Sequence, residues 1–88
     1  MTFHTDGVPH FLKTFEERKA TIAAFSGCMG VQLLRDADNP NIFFTYSKWK
    51  SADDLENYRR SAFFAETWQL AKKYFSAKPN AWSVLEVL

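Results

Sequence analysis

The sequence predicts an α+β domain in which two helical regions pack on one side of an antiparallel sheet. Three observations carry this expectation. Apolar residues recur at helical spacing over 9–25 and again over 62–75. Two β-prone runs, 28–35 and 42–49, flank a reversal built from Asp, Asn and Pro. A third alternating run, 81–87, closes the order. With residues 1–4 as a very short or truncated first strand, the order is βαββαβ, the ferredoxin-like arrangement.

Each element has a local cause. Thr5-Asp6-Gly7 supplies turn chemistry, and Pro9 suits a first helical turn, where a missing N–H costs nothing. Val8, Phe11, Leu12, Phe15, Ile22 and Phe25 then form one stripe, with Lys13, Glu16, Glu17 and Arg18 on the remaining surface. Gly27 stands where a helix stop is expected. In the first full strand, Met29, Val31 and Leu33 alternate with Cys28, Gly30, Gln32 and Leu34. The Asp36-Ala-Asp-Asn-Pro-Asn41 reversal suits a hairpin, because Asp and Asn bond their own backbone in turns. Ser51-Ala-Asp-Asp54 has the layout of a capping box, with Asp54 in place of Glu. Ser61 breaks the following helix and caps a second segment, where Phe64, Trp68, Ala71 and Phe75 share a stripe.

Composition narrows the function classes. The 88 residues are enough for one domain, expected over residues 1–88. Eleven basic against ten acidic residues leave a formal charge of +1 with no basic block, which argues against nucleic-acid binding. No apolar run is long enough to span a bilayer, and residues 1–4 do not open a signal peptide. The single cysteine, Cys28, excludes an internal disulfide and fits a cytoplasmic setting. It reads as a small buried hydrophobe. No ligand spacing suggests a metal site, and no nucleotide or phosphate motif is present.

The excess is aromatic: nine Phe, three Trp and three Tyr make up 17% of the chain. A thin two-layer domain does not readily hide so many rings. A subunit interface and the wall of a pocket are the two natural destinations. Met29, Val31, Leu33, Phe44, Tyr46, Trp82 and Val84 are too apolar to leave in water, and a second copy of the sheet is the simplest cover, giving a homodimer. On the other face, Trp49 shares a side with Phe43, Thr45 and Ser47. That mixture of ring and hydroxyl suits either core or a pocket for a phenolic ligand. Tyr58 and Trp68 add apolar bodies with polar handles, and Phe15 and Phe64 lie on the stripes facing them. His4 and His10 are the only imidazoles, and both read as surface or helix-start residues.

Several of these pieces together resemble the antibiotic biosynthesis monooxygenase family. They are Phe25-Ser-Gly-Cys-Met-Gly-Val-Gln-Leu-Leu-Arg35, then Asn39-Pro-Asn-Ile-Phe-Phe-Thr-Tyr-Ser-Lys-Trp49, then Ser51-Ala-Asp-Asp-Leu55, then Tyr58-Arg-Arg-Ser-Ala-Phe-Phe64. The resemblance implies a dimeric α/β barrel, and a monooxygenase that works on an aromatic phenol, quinol or anthrone without metal, flavin or other cofactor. It also implies departures. Only six residues precede Gly7, so the first strand is very short or begins upstream of Met1. The polyketide-oxidising branch pairs an Asn with a Trp four residues on; Trp49 matches the Trp, but Thr45 stands for the Asn. The haem-degrading branch uses an Asn, a Trp and a His. The Asn position falls before Met1, and Tyr58 and Trp68 stand for the Trp and His, so haem degradation is not expected. The expected pocket lining is therefore Phe15, Thr45, Ser47, Trp49, Tyr58, Phe64 and Trp68, with no residue assigned as catalytic base. The rival expectation is a non-enzymatic module of the same fold that binds a small ligand or serves dimerisation.

Overall fold

A computed structural model describes residues 1–88. A 3-10 turn at Thr5–Gly7 leads into α1, Val8–Ala23. Strand β1 is Cys28–Arg35 and β2 is Phe43–Trp49. Helices α2, Ala52–Arg59, and α3, Ala62–Lys72, follow. The two serine caps form as the sequence implies. Ser51 Oγ accepts from the Asp54 amide at 3.1 Å, and Ser61 Oγ accepts from the Phe64 amide at 3.0 Å. Asp36 organises the hairpin turn by accepting from the Asp38 and Asn39 amides, which holds its carboxyl below the ordinary range.

The hairpin is antiparallel, with Arg35 opposite Phe43 and Val31 opposite Ser47. A bulge between Cys28 and Gly30 shifts the register, and Gly30 takes a φ of 145° there. That bulge corrects the expected faces. Val31 and Leu33 do not sit on the outer face with Phe44 and Tyr46. They oppose Ser47 and Thr45, so they point toward the helices, and Val31 is buried. Leu34 and Gln32 oppose Phe44 and Tyr46 and form the outer face instead. Strict alternation from Met29 fails because the extra residue absorbs half a period.

Residues 1–4 form a short piece of strand beside β2. The Phe43 amide donates to the Met1 carbonyl at 2.8 Å, and Thr2 bridges Ile42. On its other side Phe3 bridges Phe75, with the Ser76 amide donating to Thr2 at 2.9 Å. This places Phe3 at the centre of the core, 1% exposed. Its ring stacks on Phe11 at 4.2 Å and meets Phe43 and Phe75 at 5.9 and 5.1 Å. Ala71 completes the buried cluster, with Phe15 and Leu33 packed against it. Arg18 ties α1 to α3: its guanidinium donates to Glu66 and Thr67 at 3.0 and 2.9 Å and lies over the Phe63 ring.

Two expectations are corrected at the chain's end. Helix α3 stops at Lys72 rather than at Phe75, because Phe75 is drawn into the bridge with Phe3. Residues 81–87 form no strand. The bridge of Phe3 with Phe75 and the bond of the Ser76 amide to the Thr2 carbonyl are the last backbone pairings at this end of the chain. Cys28 is likewise only half-buried, its Sγ 3.8 Å from the Gly30 carbonyl at the bulge.

Candidate functional site

Strand β2 ends under α2, and this places Trp49 on the helix-facing side. Its ring stacks on Tyr58 of α2 at 5.2 Å with an interplanar angle of 24°. Its Nε1 donates to Ser47 Oγ at 3.0 Å, which fixes the indole along the strand. Tyr58 meets Phe25 edge-on at 4.9 Å and Phe64 at 5.1 Å. Phe64 stacks on Trp68 at 6.2 Å, one helical turn further along α3, and Trp68 meets Phe75 at 5.5 Å. Trp49, Tyr58, Phe64 and Trp68 thus make one continuous aromatic wall. It runs from the end of the sheet across both C-terminal helices.

The floor beside that wall is polar and open. Thr45 and Ser47 lie on the same side of β2 as Trp49, yet both are exposed. The helices therefore do not close over this part of the sheet. Trp68 is itself 37% exposed. The Tyr58 hydroxyl is accessible and has no hydrogen-bond partner within the chain. Burial of its ring pushes the phenol above its ordinary value of 10.0, with the nearby Cys28 adding to the shift, so it remains a neutral donor at physiological pH. The arrangement can stack on one face of a flat ring and offer hydroxyls to a ligand's oxygens.

Phe15 is not brought to this wall. It contacts Phe11 at 6.3 Å and packs on the core cluster, one layer away. Phe25 is the wall residue that sequence reasoning left in the helical stripe; its position at the turn after α1 carries it under Tyr58. The imidazoles also lie elsewhere. His4 and His10 line an open depression of about 390 Å³ with Asp6, Lys73 and Tyr74, where His10 stacks on Tyr74 at 5.3 Å. Nothing in their spacing in the sequence signals that convergence. A second depression, about 430 Å³, lies at the bulged end of the hairpin, where Met29, Gly30 and Gln32 of β1 meet Tyr46 and Lys48 of β2. No three His, Cys, Asp or Glu side chains converge as metal ligands, and no helix is long and apolar enough to cross a membrane.

A small α+β domain with an aromatic wall on the helix-facing side of its hairpin defines the class. The sequence model of the family described as antibiotic biosynthesis monooxygenase matches residues 1–69, and the chain belongs to that family. Solved structures share the fold. A candidate antibiotic biosynthesis monooxygenase from Bordetella bronchiseptica is 22% identical; the match covers 100% of this chain and 91% of that one, with a TM-score of 0.87. A conserved protein from Methanosarcina mazei is 19% identical over 88% of this chain and 76% of that one, at 0.82. One from Deinococcus radiodurans, also described as a candidate antibiotic biosynthesis monooxygenase, is 11% identical over 99% and 91%, at 0.78. No protein of curated function matches the sequence.

Proposed function

We propose that the chain is a cofactor-independent monooxygenase of a small aromatic compound, a phenol, quinol or anthrone. The observation that supports this reading is the wall of Trp49, Tyr58, Phe64 and Trp68 beside the exposed hydroxyls of Thr45 and Ser47. Family membership supports the reaction class. A flat substrate lies against the wall, and the Tyr58 phenol donates to its ring oxygen. Such a donor favours the anionic enolate or phenolate form, which carries more charge on that oxygen. The anion passes one electron to dioxygen, and the radical pair joins to form a C–O bond. Loss of water from the resulting hydroperoxide leaves a carbonyl. The balance is SH2 + O2 → S=O + H2O, so dioxygen is the only oxidant consumed. The aromatic wall shields one side of the radical pair from water.

The rival reading is a binding module without turnover. One observation favours it: no imidazole or carboxylate is among the wall's contacts, and both histidines lie in the separate depression. Oxygen uptake with a panel of quinols and anthrones, in the presence of a chelator, separates the two. The enzyme reading expects one dioxygen per substrate, lost in Trp49→Ala. Ligand binding without oxygen uptake in the wild type supports the module.

The same reading includes a homodimer in a cytoplasmic setting. Leu34, Phe44 and Tyr46 remain 45%, 43% and 45% exposed on the outer sheet face, and a second copy covers them.

A further inference from the structure

Away from the aromatic wall, the chain gathers a second set of polar side chains that its own fold does not use. His4, Asp6, His10, Lys73 and Tyr74 line the open depression of about 390 Å³ where residues 1–4, the start of α1 and the end of α3 meet. Elsewhere polar side chains serve the fold: Arg18 joins Glu66, Arg60 joins Glu56, and Asp36 and the two cap serines close turns. None of these five forms an ion pair or a side-chain hydrogen bond within the chain. His4 stands at the N-cap of the 3-10 turn without capping it. Asp6 shares the depression with an ammonium and two imidazoles and pairs with none of them.

The fold itself holds the depression in shape. The Tyr74 carbonyl accepts from the His4 amide at 2.9 Å, and the Tyr74 amide donates to the Ala71 carbonyl at 3.1 Å. The Tyr74 ring stacks on His10 at 5.3 Å, nearly parallel at 9°. Tyr74 also presses on buried Gly7, where an added Cβ would come within 2.7 Å of the Tyr74 Cβ. The three segments are thus fixed against one another before any ligand arrives, which lowers the ordering cost of binding.

The chemistry of the lining selects the ligand. Lys73 offers an ammonium, and each imidazole offers an N–H in either protonation state. Three such donors around one depression suit a phosphate or a carboxylate. Ionised Asp6 only accepts, so it repels a bare anion but takes a hydrogen bond from a hydroxyl beside the anionic head. The volume suits a compact molecule. We propose that this depression binds a small hydroxyl-bearing anion, a polyol phosphate or a hydroxycarboxylate, with its anionic head on Lys73, His4 and His10 and a hydroxyl on Asp6. The site shares no residue with the aromatic wall and does not depend on the monooxygenase reading.

The test is an NMR titration of the full chain at constant ionic strength, with glycerol phosphate, malate, inorganic phosphate and glycerol as separate probes. Glycerol phosphate, malate or both are expected to move the resonances of His4, Asp6, His10, Lys73 and Tyr74 along saturating curves, with a Kd on the order of 1 mM for so open a site. The two probes distinguish a phosphate from a carboxylate head. Uncharged glycerol is expected to move nothing. Lys73 is exposed, so Lys73→Gln keeps the fold, and it is expected to weaken binding on the order of 5-fold, as loss of one partly exposed charge contact does. Asp6→Asn is expected to weaken the hydroxyl-bearing anion and to strengthen inorganic phosphate, from which it removes a like charge. No saturating shift at these five residues with either hydroxyl-bearing anion overturns the proposal. Shifts spread evenly over the surface lysines overturn it as well, and so does an Asp6→Asn effect that is equal for the hydroxyl-bearing anion and inorganic phosphate.

Discussion

Replacing Phe3 with Ala tests whether residues 1–4 are an integral strand. Phe3 is 1% exposed and is the one ring that touches Phe11, Phe43 and Phe75 together. Removing a buried Phe ring costs about 3–5 kcal/mol, and the cost is larger where the site cannot collapse. Here the neighbours are rings held by α1, by β2 and by the bridge to residue 75, so the cavity stays open and about 4 kcal/mol is expected. An 88-residue domain has roughly 4–13 kcal/mol in total, at ~0.05–0.15 per residue. The variant is therefore expected near the threshold of folding, with its melting temperature lower by roughly 15–30 °C. Urea unfolding followed by far-ultraviolet circular dichroism measures the change. A loss under about 1 kcal/mol, with an unchanged denaturant slope, would refute the seating of the N-terminal segment in the core.

Three further outcomes follow from the same geometry. Trp49→Ala should cost about 1–3 kcal/mol in the same unfolding assay, because a half-buried indole loses one stack on Tyr58 and one exposed hydrogen bond to Ser47. Gly27→Ala should cost at least about 1 kcal/mol, since Gly27 has a φ of 82° and a Cβ there collides with the Asp54 side chain. The Tyr58 phenol should titrate above its ordinary value of 10.0 by ultraviolet absorbance. The folded state then holds the proton more tightly than the unfolded state, so stability is fully present below about pH 10 and falls as pH rises through the folded value. Tyr58→Phe should remove that slope.

The parts of the fold legible in the sequence are those with a long or chemically marked local signal. The stripe of α1 is long enough to show its period, and the element found, Val8–Ala23, differs from the expected 9–25 only at its ends. Ser51 and Ser61 cap as expected because an N-cap is a contact between near neighbours in sequence. The Trp49 side of β2 followed from alternation, since β2 has no bulge. Alternation failed in β1 because the bulge at Met29 adds one residue, and nothing in Cys-Met-Gly marks it strongly. Phe3 was not legible as the core's centre, because four residues are too few to show a period. The strand expected at 81–87 has the right pattern but no partner within the chain. Pattern records what a segment can pair as, not where the pairing strand lies. The aromatic wall was legible in part. Tyr58, Phe64 and Trp68 lie on stripes that a helix brings into line, but Phe15 shares its stripe with the core residue Phe11 and turns away.

An anaerobic NMR titration of the protein with a hydroxylated anthraquinone, the product class of the proposed reaction, locates the ligand on the domain. Chemical shifts are expected to move at Thr45, Ser47, Trp49, Tyr58 and Trp68, and Trp49→Ala is expected to remove the effect while the dispersion of the spectrum is retained. Shifts confined to the depression around His4 and His10, or to the outer edge of β1, would contradict this expectation and place the ligand on a different face of the domain.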